Sequence, residues 1–126
     1  MFDIILNQQT PETERPFTPI FWIRKNKHLI RRFLQYSEKQ TNAVGLAANQ
    51  LRQDGERVMA RMFSAIINGK WDVYIDPIIT EYLGEEKDTV EGCLSWPGKK
   101  ILAKRHEAIL VTYYTDKGEV IEDRFE

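Results

Sequence analysis

Cysteine is nearly absent from this chain. Cys93 is the only one in 126 residues, so no disulfide can form within the chain, and any thiolate chemistry or sulfur ligation has to happen there. Histidine is almost as scarce, with His28 and His106 alone. There is no excess of either charge, 18 Lys and Arg standing against 19 Asp and Glu, which argues against nucleic acid or an anionic membrane surface as the main partner. No apolar run approaches the roughly 18 residues of a membrane span. The opening Met1 to Leu6 lacks the basic stretch and small-residue cleavage site of a signal peptide. These absences read as a cytoplasmic protein, in a reducing compartment that keeps Cys93 as a thiol. Repeats and low-complexity tracts are missing too, and the length suits one small domain over residues 1–126.

What is present has a clear order. Asn7 to Pro19 is polar and carries Pro11, Pro16 and Pro19, the composition of an extended arm. From Ile20 to Lys39 the apolar residues Trp22, Ile23, Leu29, Ile30, Phe33 and Leu34 recur at three- and four-residue spacing, with Arg24, Lys25, Lys27, Arg31 and Arg32 between them. That spacing predicts one amphipathic helix with a solvated basic face. After the polar break Thr41-Asn42-Ala43, alternation from Arg57 to Ile67 and again over Trp71–Ile75, with Asn68-Gly69 between, predicts a β-hairpin. Asp76-Pro77 reads as the end of that strand, Ile78 to Leu83 as a short strand and Gly84 to Asp88 as a charged turn. Ile101 to Ala103, Ala108 to Tyr114 and Glu119 to Phe125 read as strands, the last two joined across Asp116-Lys117-Gly118. One N-terminal amphipathic helix followed by short, mostly antiparallel strands is an α+β domain.

Two stretches carry residue types that chemistry needs. In Glu91-Gly92-Cys93-Leu94-Ser95-Trp96-Pro97-Gly98, Cys93 is either a small buried hydrophobe or a thiolate ligand for zinc or iron, with Gly92 allowing close approach. In Val44-Gly45-Leu46-Ala47-Ala48-Asn49-Gln50, small residues lead to a carboxamide at Gln50. An amide is no base near neutral pH, but its N–H can donate to an oxyanion.

Together, in this order and at this separation, V-G-L-A-A-N-Q and E-G-C-L-S resemble the first two signature motifs of the peptide deformylases, metal hydrolases that remove the formyl group from the N-terminal methionine of new chains. The resemblance implies a peptide-deformylase-like fold and a formyl-methionyl peptide as partner. It implies a divalent metal held at Cys93, Fe²⁺ before Zn²⁺ or Ni²⁺, and oxyanion donors at the Gln50 amide and the Leu94 backbone N–H. Val44, Gly45 and Gly92 would receive the peptide, and Glu91 would pair with Arg105 to hold the loop. Two departures stand out. Ala43 occupies a position that is usually glycine, and the family's third motif, H-E-x-x-H on a C-terminal helix, is absent: His106-Glu107-Ala108-Ile109-Leu110 begins correctly and ends in leucine. Histidines four apart on a helix share one face and can bind one metal. Without them the chain reads as a C-terminally incomplete domain, inactive on its own, or as a deformylase-like module that binds peptide N-termini. Strand faces including Val111, Tyr113 and Ile121 are then expected to lack a cover and to favour self-association or a separate chain as partner.

Overall fold

The three- and four-residue spacing over residues 20–39 does give helix, but in two pieces. The computed structural model describes residues 1–15, 18–93 and 95–126, with Cys93 described by its backbone alone. It places α1 at Pro19–Lys25 and α2 at Lys27–Glu38. Pro19 opens α1, where its missing N–H would have had no partner in any case. Asn26 ends it, because its carboxamide donates back to the Trp22 carbonyl at 2.8 Å while its own backbone leaves helical geometry. Asn side chains compete with the backbone in this way, and an otherwise continuous pattern breaks there. Before the helices, Asn7 to Arg15 form neither helix nor strand, as the prolines imply; Pro16 and Phe17 lie outside the described residues.

The strands form two antiparallel sheets. In the smaller, β1 (Phe2–Ile4), which the composition did not suggest, pairs with β3 (Leu51–Gln53), and β3 with β4 (Glu56–Arg57). The larger has the order β2 (Gly45–Ala47), β5 (Met62–Ile67), β6 (Lys70–Cys93), β7 (Trp96–Tyr114), β8 (Val120–Phe125). The hairpin between β5 and β6 turns on Asn68 and Gly69, both at positive φ (54° and 78°), as a tight turn matching the strand twist requires.

Elsewhere the sheet overrides local turn signals. Asp76-Pro77 does not end a strand: β6 runs through it with a register shift between Ile75 and Ile78. The bulge removes Pro77 from the ladder, so its missing N–H is harmless. Gly84 to Asp88 is strand rather than turn, shifted once more between Leu83 and Glu86, and Ile101 to Tyr114 is one strand rather than two. Across the pair His106 Nε2 lies 3.5 Å from the Glu86 carboxylate, and Lys87 Nζ reaches the Glu107 carboxylate on the diagonal at 3.6 Å. Polar contacts of this kind between the two strands support a pairing that composition alone disfavours.

One sheet face packs on the helices. Ile23, Ile30 and Phe33 meet Leu46, Met62, Val73 and Ile75 there, each buried side chain contributing about 1.5–3 kcal/mol. Inside this core Ser64 Oγ donates to Ser37 Oγ at 2.6 Å, and Ser37 Oγ to the Phe33 carbonyl at 2.8 Å, so the polar groups between α2 and β5 are satisfied. Alternation sends Tyr74 to the opposite face, where it stacks on Phe63 (4.9 Å) and meets Tyr113 (4.7 Å) and Phe125 (5.3 Å) edge-on. This aromatic cluster corrects the expectation of bare inner strands. Val111 and Tyr113 are only 3% and 7% exposed, and Ile121 is half-buried. Among the described residues no helix is long and apolar enough to cross a membrane.

Candidate active site

β2 leads directly into a single 3₁₀ turn at Ala48–Gln50, and the chain leaves it along β3. The turn exists because Gln50 folds back: its Oε1 accepts the Ala47 N–H at 2.9 Å. Its backbone carbonyl accepts the Ile5 N–H at 2.9 Å, fastening the turn to the chain just beyond β1. The carboxamide is thereby oriented, with Nε2 donating to Ser95 Oγ at 3.2 Å across 45 residues of sequence. Ser95 sits at the end of the β6–β7 ribbon, is 2% exposed, and accepts the Asn7 N–H on its carbonyl at 2.6 Å.

Four of the residues expected to form a site come together here. Val44, Gly45, Gln50 and Gly92 line one open cleft of about 730 Å³, walled by Trp96 and Pro97. β2 is an edge strand of its sheet. The Val44 carbonyl already accepts the Ile66 N–H at 2.9 Å, so ladder alternation turns the polar groups of Gly45, rather than of Val44, toward the free edge. Val44 keeps an exposed side chain instead. Gly92 flanks the last register shift of β6, and a Cβ built on it would meet nothing within 4 Å. Ala43, in place of the usual glycine, also lines the cleft, and its φ is not positive. Its methyl group is therefore unstrained and only narrows the entrance. Lys99 lies over the Trp96 ring, 4.9 Å from its centre, on the same wall.

Glu91 and Arg105 meet, but not in this cleft. Arg105 donates to both Glu91 oxygens at 2.8 and 2.9 Å, and Thr89 Oγ1 donates to Oε2 at 2.8 Å. The guanidinium fork first, then the threonine hydroxyl, hold the Glu91 carboxyl down at about 2, and the same pair raises Arg105. Both residues line a separate groove together with Tyr82 and His106. Leu94 and the side chain of Cys93 lie outside the described residues.

The sequence reading missed three groups. Within its motif Ser95 carries no chemical signal of its own. Ile5 and Asn7 carry no chemical signal at all. Asp76, with a buried side chain, accepts from Arg15 at 2.7 and 3.0 Å and from Arg61 at 3.0 Å, anchoring the arm beside the sheet; its only signal was an aspartate before a proline.

A model of the polypeptide deformylase family matches residues 3–126. The chain belongs to that family. A peptide deformylase of Pseudothermotoga lettingae is 37% identical over 86 residues, covering 68% of this chain. The match spans 46% of that relative, a little under half its length. Among deformylase crystal structures, that of Thermotoga maritima superposes with a TM-score of 0.73 at 26% identity, covering 100% of this chain and 82% of that one. A deformylase from Vibrio parahaemolyticus bacteriophage VP16T, crystallised with actinonin, gives 0.76 at 24% identity over 98% and 85%. The two helices and two antiparallel sheets are thus the deformylase fold.

Deformylases are typically metal-dependent, and among the described residues the donors do not make up a metal site. Such a site takes about three protein ligands and leaves one position open. Beside Cys93 the chain has two histidines. His28 is exposed on α2, and His106 Nδ1 is 3.1 Å from the Gly84 carbonyl, on the ribbon of Glu91 and Arg105. Among the described residues, no three His, Cys, Asp or Glu side chains converge.

Proposed function

We propose that this chain supplies the substrate side of a peptide deformylase, receiving formyl-methionyl N-termini of nascent polypeptides, and that these 126 residues alone do not turn over. The reading rests on one observation above all: the Gln50 carboxamide is oriented, by a backbone N–H on one end and a serine on the other, within a cleft that also holds Val44, Gly45 and Gly92. A peptide laid along β2 as an added strand would use the outward polar groups of Gly45. Attack on a formyl carbon converts a planar carbonyl into an oxyanion, and an amide N–H fixed in advance stabilises that charge; removing one such donor typically lowers the rate on the order of 10²-fold or more. Leu94 is proposed as the second donor, through its backbone N–H. Cys93 is proposed as the sulfur ligand of an Fe²⁺, Zn²⁺ or Ni²⁺ ion whose remaining ligands these residues do not provide.

The donor set favours a second reading, a deformylase-like module that binds peptide N-termini without chemistry. Calorimetry with formyl-methionyl-alanyl-serine and its unformylated form tests the shared part, and a formate assay separates the two. Preference for the formylated peptide supports the site, while equal or absent binding of both contradicts it.

A further inference from the structure

The orientation of the Gln50 amide is fixed by the chemistry of its partners. A backbone N–H can only donate, so the end of the carboxamide facing Ala47, 2.9 Å away, must be Oε1. The other end, facing Ser95 Oγ at 3.2 Å, must then be Nε2, and the serine must accept. Ser95 is itself 2% exposed, so water does not compete for that hydroxyl.

The same two residues are held a second time, through their backbones. Ile5 donates to the Gln50 carbonyl at 2.9 Å and Asn7, two residues on, to the Ser95 carbonyl at 2.6 Å. One short run of chain thus spans the 3₁₀ turn and the end of the β6–β7 ribbon and sets their separation. Asn7 adopts a φ of 57° to do so, a left-handed conformation that asparagine tolerates better than most residues. The arm beyond it is fastened in turn, Asn49 Nδ2 donating to the Pro11 carbonyl at 2.6 Å and Arg57 to Gln8 at 3.2 Å.

From this geometry we infer that Ser95 is a positioning residue for Gln50, acting as an acceptor that aims the amide nitrogen, with residues 5–7 as the brace that keeps the two in register. The inference deepens the deformylase reading and rests on it for its consequence in recognition; the geometry of the pair can be judged separately.

The experiment uses the full chain, ¹⁵N-labelled. The Gln50 side-chain NH₂ signals are assigned by their loss in Gln50→Glu. In Ser95→Ala these signals are expected to move toward the positions of a solvated amide and to lose their rigidity in the heteronuclear NOE, while backbone amides away from the turn stay in place. Ser95→Thr, which keeps the hydroxyl, restores the signals. Should Ser95→Ala fail to fold, Ser95→Cys, similar in size but a weak acceptor, gives the same reading. Unchanged Gln50 signals in the folded variant overturn the inference. In a second arm, the preference for formyl-methionyl-alanyl-serine over the unformylated peptide is expected to fall about tenfold in Ser95→Ala, as for the loss of one oriented hydrogen bond. An undiminished preference also overturns the inference. If wild type shows no preference, the deformylase reading fails, and the NMR arm still decides whether Ser95 aims the amide.

Discussion

Asp76 is the point at which the N-terminal arm is tied to the sheet, and its removal tests how firmly the site is braced. Its carboxylate has no exposed side-chain surface and meets two guanidinium groups, Arg15 at 53% and Arg61 at 30% side-chain exposure. A hydrogen bond to a charged group contributes about 1.5–3 kcal/mol, and an exposed ion pair about 0–1 kcal/mol. Arg15→Met, which removes the more exposed partner, is expected to destabilise measurably but less than Arg61→Met. Arg61→Met is expected to cost about 2–3 kcal/mol, because Arg61 is less exposed and also donates to the Pro77 carbonyl at 3.0 Å. The double variant should lose about 1–2 kcal/mol more than the sum, since the second removal leaves a buried carboxylate with no counter-charge. Against the 5–15 kcal/mol stability typical of a domain, that total is large. Urea unfolding followed by circular dichroism, with m-values compared across the four proteins, measures it. Additive losses each below about 0.5 kcal/mol would show that Asp76 reaches water, and the anchor argument would be wrong.

Three further outcomes follow from the same geometry. The Glu91 carboxyl, held at about 2 by Arg105 and Thr89, should titrate near that value in a ¹³C NMR series and return toward the ordinary glutamate range in Arg105→Gln; because its folded value is depressed, its contribution to stability is complete above about pH 4.5 and is lost as pH falls toward 2. Tyr113, pushed up to about 12 by burial and then by the Asp123 carboxylate, should reach half ionisation only near that pH in 295-nm absorbance; with its folded value raised, its stabilising effect is complete below about pH 10 and is lost as pH rises toward 12. Neighbouring grooves of about 430 and 380 Å³ share Ile79, Ile109 and Phe125 on the face away from the helices, so sedimentation velocity should find concentration-dependent self-association that Ile79→Glu removes, whereas a monomer at all concentrations would show that the aromatic cluster covers this face well enough by itself.

The chemistry-bearing stretches were legible because their function demands particular residue types close together. Gln50 and the small residues before it are meaningful as a string, whereas the pairing of Glu91 with Arg105 was implied only by the family resemblance. What defeated the sequence reading of the strands was a partner far along the chain. Asp76-Pro77 has the composition of a strand end, yet Arg15, 61 residues away, is one of the groups that hold Asp76 in the bulge. The charged run from Gly84 to Asp88 looks like a turn until the opposing strand brings His106 and Glu107 beside it. The helix broke at Asn26 for the opposite reason: the competing bond to Trp22 is local, but asparagine takes it only at some helical positions, and apolar periodicity does not register the choice. Ser95 was in plain view within E-G-C-L-S, but a serine acquires meaning as an acceptor only when Gln50 is folded against it.

The most direct test of the central claim is a formate-release assay on the 126-residue chain with formyl-methionyl-alanyl-serine, run with Fe²⁺ under anaerobic conditions and again with Zn²⁺ and Ni²⁺, alongside calorimetry with the same peptide. The expected result is binding that prefers the formylated peptide, with no formate above the metal-only control and no stoichiometric metal after dialysis, since among the described residues no three His, Cys, Asp or Glu side chains converge. Turnover by the chain alone, with one metal retained per molecule, would contradict the account, because these residues would then hold the metal in an arrangement unlike the one described.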